Sequence, residues 1–524
     1  MFKQVVFLSL VSFLVSCAQQ VAPTGGLKDE QAPEILSIEP EQEKLNYQNE
    51  EIEIEFDEFI QLNQLKQQFI SSPPLKHPLE TEVKGKKLSI NIEDTLEENT
   101  TYVLNFGNAI VDYHESNPIE NFKYVFSTGN VIDTLSISGI VINAFELTPV
   151  EGAIVALYKS ASLDSLPYQK IPDYVDRTNK EGEFNLSNLK QGDYSLFVVK
   201  DENSNFLFDK PEEEIAFSDT LISLREPIEG LKYYSFIEDH QKQYVKTQSE
   251  EGAHVVLEFN KGIDTLSFDF LDSLGGLLYS EISKGKDSLE LWFKENGKQS
   301  YEMQLFASPA YEDTLSLKLN DFKDTSLKVL NKPNGEQDFF KSYQLQFNRP
   351  IASFNQDGIR FFKKDSTELS VKLEIDSMHT QWMKILAELK QDSAYFLTID
   401  SGAVKDIYDY SNDSLRFDFR INSIEDFGNL ALKVNMADSS EMLVQLLDQN
   451  QKVLKQKIAE DHAVVFKHLR AGSYQIKLIL DANANGLWDT GVLLQSIQAE
   501  KVYLYDEKIT IRANWDQEIE WVIK

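Results

Sequence analysis

Leu189-Lys190-Gln191-Gly192-Asp193-Tyr194-Ser195-Leu196 leads into Asp201-Glu202-Asn203-Ser204-Asn205-Phe206-Leu207-Phe208-Asp209, and the chain then repeats the phrase. Leu469-Arg470-Ala471-Gly472-Ser473-Tyr474-Gln475-Ile476 leads into Asp481-Ala482-Asn483-Ala484-Asn485-Gly486-Leu487-Trp488-Asp489. In both copies the first Asp stands nine residues after the Gly, and both close on D-x-N-x-N-x-x-x-D. Agreement of type and spacing over about twenty positions marks a duplicated structural unit. Gly192 and Gly472 lie between strand-like runs, where a positive φ suits glycine alone. Tyr194 and Tyr474 share a face with Leu196 and Ile476, which predicts core tyrosines with a hydroxyl at the rim.

Around these phrases the patterning has period two. Ile52 to Phe56, Lys87 to Ile92 and Tyr102 to Phe106 alternate apolar with polar residues, the pattern of strands with one buried face. A second repeat marks strand ends. Ile54-Glu55-Phe56-Asp57-Glu58-Phe59-Ile60, Leu257-Glu258-Phe259-Asn260-Lys261-Gly262-Ile263 and Leu345-Gln346-Phe347-Asn348-Arg349-Pro350-Ile351 share one spelling. Thr101-Tyr102-Val103-Leu104 runs to Ala109-Ile110-Val111-Asp112, and Ala394-Tyr395-Phe396-Leu397 to Ala403-Val404-Lys405-Asp406. The recurrence of Asp57, Asp112 and Asp406 in step with the pattern favours turn residues over catalytic acids. Long helical stripes are scarce, so the chain is read as all-β, a tandem array of β-sandwich domains with little helix.

The 524 residues carry a net charge of −34, which argues against nucleic acid, since phosphate binding needs a basic surface. Lys3, the apolar run Val5 to Val15 and then Leu14-Val15-Ser16-Cys17 predict a signal peptide over 1–16, too short to span a membrane. Cys17 is the sole cysteine, so no intramolecular disulfide is expected and stability must come from cores. Residues 17–32 lack apolar periodicity and read as a tether.

These residues also carry family resemblances. Leu14-Val15-Ser16-Cys17 resembles a bacterial lipobox, which implies cleavage before Cys17 and lipidation of its thiol. The strand–turn–Ile starts with the Tyr-x-Leu…Ala-x-x-Asp endings resemble bacterial Ig-like domains, at 33–130, 334–423 and, more weakly, 236–333. Ile137-Ser138-Gly139-Ile140-Val141, Gly152-Ala153-Ile154-Val155, Thr178, Gly182-Glu183-Phe184 and Gly192-Asp193-Tyr194 resemble a carboxypeptidase regulatory-like, transthyretin-like domain over 131–235, with a diverged copy at 424–524. With Pro23-Thr24-Gly25-Gly26-Leu27-Lys28-Asp29 after the cysteine, the order is similar to that of Bacteroidota Ig-like domain lipoproteins. The resemblance implies a lipid-anchored outer-membrane protein; the calcium-like loops and the acidity favour exposure on the cell surface over the periplasm. It implies partners among outer-membrane or periplasmic proteins, a β-barrel complex foremost.

The candidate chemistry lies in the duplicated loops. Oxygens at positions 1, 3, 5 and 9 match the spacing of a calcium loop. The candidate calcium ligands are Asp201, Asn203, Asn205, Asp209 and Glu212 in one loop and Asp481, Asn483, Asn485 and Asp489 in the other. Turns that cap their own backbone use the same residue types. None of the seven histidines has H-x-H or H-x-x-x-H spacing, and no nucleophile elbow or phosphate loop is present. The expected function is therefore a non-catalytic scaffold or interaction subunit of an envelope assembly. The alternatives are a surface receptor for carbohydrate or peptide and a hydrolase with an unrecognised site. The receptor would use exposed aromatics among Trp292, Trp382, Trp488, Trp515 and Trp521, although strand alternation favours burial of Trp515 and Trp521.

Overall fold

The structure, a computed structural model, describes residues 30–523 apart from 160–165, 241, 264, 272–275, 284, 308–310 and 439. Cys17 and the predicted signal segment lie outside the described residues. The chain forms two compact units. The first runs to Glu238 and includes Val492–Gln498; the second comprises Asp239–Gly491 and Ala499–Lys524. Each unit is a tandem of β-sandwiches with separate hydrophobic cores.

In the first unit, the N-terminal sandwich has one sheet in the order Ile35–Glu39, Ile52–Phe56, Lys87–Asn91, Glu80–Lys84. The other sheet is Ile70–Ser72, Thr101–Gly107, Phe122–Ser127, and Ile60–Leu62 pairs with Ile110–Asp112. The alternation supplies the core directly: Ile52, Ile54, Phe56, Leu88, Ile90, Leu104 and Phe106 are buried together. The second unit uses this strand order twice. It recurs as Val329–Asn331, Tyr343–Phe347, Trp382–Leu386, Lys372–Ile375 with Ile359–Lys363, Ser393–Ile399, Leu415–Ile421. It recurs again as Val245–Glu251, His254–Phe259, Ser288–Phe293, Leu277–Ile282 with Leu266–Phe270, Gln299–Ala307, Tyr311–Leu319. The copy with the weakest sequence pattern thus has the same topology as the others.

The two repeated Gly-x-Tyr phrases occupy matching strands of a second topology. Leu135–Asn143 lies between Glu183–Leu189, antiparallel, and Ile228–Ile237, parallel. Phe427–Asn435 lies likewise between Ala463–Arg470 and Asp516–Val522. Opposite them run Tyr174–Arg177, Ile154–Tyr158, Gly192–Lys200, Glu214–Phe217 in one copy. Val453–Ile458, Glu441–Leu447, Gly472–Asp481, Val502–Leu504 take those places in the other. Gly192 pairs with Leu224 and Tyr194 with Ile222, as Gly472 pairs with Ile511 and Tyr474 with Ile509.

The glycine expectation is corrected. Neither Gly192 nor Gly472 has a positive φ; that conformation falls on Asn188 and His468, four residues earlier in each copy. Glycine makes room at 192, while at 472 a Cβ would stand in ordinary contact, 3.7 Å from the Tyr474 ring. At 192 a Cβ would stand 3.1 Å from the Tyr194 ring, because the tyrosine folds back over it. Its hydroxyl donates to Lys190 O at 2.6 Å, and Tyr474 donates to Arg470 O at 2.7 Å. The phrase is therefore a tyrosine clamp across its own strand entry.

Candidate functional site

Each Asp/Asn loop follows the long clamp strand, and its first Asp is the acceptor for the turn. Asp201 Oδ1 accepts from the amides of Asn203 and Ser204, and Oδ2 from that of Phe206 at 2.7 Å. Asp481 accepts from Asn485 and, at 2.7 Å, from Gly486. Phe206 carries the positive φ that Gly486 has in the other copy. The side-chain amides of Asn203 and Asn205 donate to Asp209 at 3.0 and 2.8 Å. Those of Asn483 and Asn485 donate to Asp489 at 2.6 and 2.7 Å. Asn205 Oδ1 and Asn485 Oδ1 accept from Leu207 and Leu487. The two loops thus share one internal hydrogen-bond pattern.

A carboxylate at the base completes each loop, and the sequence pattern misplaced it. In the first loop it is Glu213, not Glu212. Glu212 is exposed, whereas Glu213 is 0 % exposed and accepts from Glu202, Asp209 and Lys210 amides. The strand that follows is buried at Ile215, Ala216 and Phe217 alike, so alternation along it does not mark which acid turns inward. In the second loop the acid is Glu500, which had no place in the motif. It accepts from Ala482 and Asp489 at 2.7 and 3.0 Å, and its carbonyl accepts from Trp488 Nε1. Burial first, then Asp489 and Asp481, push the Glu500 carboxyl above its ordinary range, against the two amides that lower it. Among the described residues no three His, Cys, Asp or Glu side chains gather as a metal-holding group. To take calcium, both Asn side chains of a loop would have to present oxygens where they now present N–H groups to Asp209 or Asp489.

The recurrent acids outside the loops are turn clasps. Asp57, Asn260 and Asn348 hold matching positions: each accepts the backbone N–H of the residue just ahead of its sandwich's first strand, Glu34, Tyr244 and Lys328 respectively. Asp112, 1 % exposed, accepts from His114, Glu115, Ser116 and Asn117. Burial would raise its pKa, but the four amides together hold it below the ordinary range. Asp406 accepts only from Tyr408 and Tyr410, with Arg349 3.5 Å away, and burial pushes its pKa up.

Within each unit, neighbouring sandwiches are joined by specific contacts. In the first, Val175 N donates to Ser72 Oγ at 3.1 Å and Arg177 Nη1 to Gln67 O. A cleft of about 800 Å³ beside this joint is lined by Asn105, Lys123, Asp176, Arg177 and Asn185 among others. Segment Val492–Gln498 adds to that unit through Leu493 N on Glu238 and Gln498 Nε2 on Phe217 O. In the second unit His379 meets Glu281 and Gln381 donates to Glu290 at 2.7 Å. Tyr408 donates to Phe293 O, and Tyr410 to Glu295. Further along, Phe340 stacks on His468 and Arg470 donates to Asp338 at 2.8 Å.

The tryptophans divide. Trp292 and Trp521 are core residues, while Trp515 is 61 % exposed. The expectation of burial fails for Trp515 because it lies in the turn before Asp516–Val522, where alternation does not apply. No helix among the described residues is long and apolar enough to cross a membrane.

Residues 29–128 match the bacterial Ig-like domain family. No curated protein matches the chain. Among solved structures, similarity extends to a Bacteroides ovatus glucan-utilisation protein, SGBP-B, in complex with a mixed-linkage heptasaccharide. It is 10 % identical, over 73 % of this chain and 94 % of that one, with a TM-score of 0.19. The major pilin subunit of Bacillus cereus, BcpA, is 11 % identical over 74 % of this chain and 99 % of its own, at 0.14. The surface-layer protein SbsC is 9 % identical over 92 % and 67 %, also at 0.14. These overlaps are too distant to transfer a role.

Proposed function

We propose that this chain is a non-catalytic, lipid-anchored outer-membrane protein that acts as a β-sandwich scaffold or interaction subunit of an envelope protein assembly. The observation that carries the reading is the joints within each unit. Aromatic stacks and partly buried polar contacts such as Gln381 with Glu290 and Arg470 with Asp338 hold successive sandwiches in fixed register. Fixed joints suit a spacer that presents edges and loops to partners. The match of 29–128 to a bacterial Ig-like domain supports a structural or binding role over catalysis. The anchor is proposed at Cys17, and the partners are proposed to be outer-membrane or periplasmic proteins, a β-barrel complex foremost, with the chain facing the cell surface. Cys17→Ser should move the protein from the membrane to the soluble fraction and remove a lipid mass from its N-terminal peptide. Membrane retention of the variant, with no lipid on the wild type, would overturn the anchor. Affinity purification from cross-linked membranes identifies the assembly.

A second reading, a surface receptor for carbohydrate or peptide, is favoured by the exposed indole of Trp515. A platform of that kind changes its fluorescence when a ligand stacks on it, and Trp515→Ala removes the change.

A further inference from the structure

We propose that the strand Val453–Ile458 is a docking edge, to which an acidic, extended segment of a partner protein adds as a further strand. The proposal rests on the interaction-subunit reading and deepens it by naming the surface and the chemistry of what it receives.

The duplication supplies the argument, because the molecule contains the same edge in covered form. Tyr174–Arg177 is the outermost strand of its sheet, paired to Ile154–Tyr158, as Val453–Ile458 is outermost and paired to Glu441–Leu447. With Tyr194 set on Tyr474, the ladders superpose residue by residue. Phe197 with Ala156 and Val175 becomes Lys477 with Gln445 and Gln456. In the first copy the outer rim is occupied. The neighbouring sandwich lays Ile70–Ser72 and Gln67 against it, taking the Val175 amide on Ser72 Oγ and the Arg177 guanidinium on the Gln67 carbonyl. Tyr174, Val175 and Asp176 are buried there. In the second copy the corresponding residues Gln456 and Lys457 are open to solvent and Lys455 is half-buried. Val453, Leu454 and Ile458 are exposed, as is Val465 on the flanking strand, at 40 to 47 %.

Charge selects the occupant. The chain has a net charge of −34, yet Val453–Ile458 carries Lys455 and Lys457 and no acid, and Lys452 and Lys467 stand beside it. The ammonium groups of Lys455 and Lys457 turn toward the flanking strand and donate to Lys467 O and Val465 O. Alternation puts Leu454, Gln456 and Ile458 on the opposite face. An incoming segment therefore meets apolar side chains on one face and a basic rim on the other. A second copy of this chain would bring lysines against lysines, which opposes self-pairing as edge lysines commonly do. An acidic strand meets no such barrier, and the same lysines attract it.

The test uses the full chain and two short synthetic peptides, one alternating valine with glutamate, the other valine with lysine. Amide hydrogen exchange is followed by mass spectrometry. The glutamate peptide, near saturation, should slow exchange across 453–458 by about ten-fold and leave 174–177 unchanged. The lysine peptide should have no effect. Ile458→Asp and Leu454→Asp, both at exposed positions, should keep the melting temperature and lose the protection. The proposal is overturned if the glutamate peptide gives no slowing, if the lysine peptide protects equally, if protection survives both variants, or if the chain pairs with itself at this edge. Such a result would leave the scaffold reading standing, since membrane fractionation and cross-linking test that separately.

Discussion

Asp112 shows how much a single carboxylate can organise. Four consecutive amides, from His114 to Asn117, converge on its buried carboxylate from an otherwise exposed turn. Removing a charged acceptor of several hydrogen bonds costs about 2–3 kcal/mol, and Asp112→Ala should lose that much in denaturant unfolding. Its pKa is lower in the folded chain than in the unfolded one. Its contribution is therefore complete above the ordinary carboxylate value, about pH 4, and fades as pH falls through the folded value. Asp112→Asn should then flatten the acid side of the stability profile and leave the rest of its shape unchanged; an unaltered acid limb would mean that the amides do not depend on its charge. The repeated Ala-x-x-Asp ending already marked this residue as a turn acid in the sequence. The joint residues gave no such sign. His379 and Glu281 are far apart in the chain and belong to no pattern, so only the fold brings them together.

At the scale of elements, period two was the legible signal, and it held wherever one face of a strand is buried. Phe56, Ile54 and Ile52 are one such row, and Phe347 with Leu345 another. It failed where the chain leaves the ladder, as at Trp515. The loops were legible in their oxygens and not in their closing acids, because Glu213 and Glu500 are set by strands that follow at different distances. Whether calcium enters these loops is decided by thermal melting with millimolar calcium against chelator. A bound ion raises the melting temperature by mass action, and Asp201→Ala and Asp481→Ala remove the rise. The internal bonding of both loops predicts equal melting curves; a calcium-dependent rise would require Asn203 and Asn205 to reverse their side-chain amides.

For the whole molecule, separate cores within two compact units predict that heat does not unfold the chain in one step. Calorimetry should resolve more than one transition, and Asp112→Ala should lower only one of them. A single transition that shifts as a whole would mean that the joints couple all the sandwiches. The closing acid of the paired loops has a consequence of another kind. Glu213 follows Asp209 by four residues and Glu500 follows Asp489 by eleven, yet both accept the same two amides. The anchor points are fixed in space while the tape between them is free to lengthen. The second copy has used that freedom, since Val492–Gln498 lies within its longer stretch. The corresponding stretch of the first copy, between Lys210 and Glu212, is thus a ready-made port into which an epitope or a reporter can be threaded with the sandwich intact.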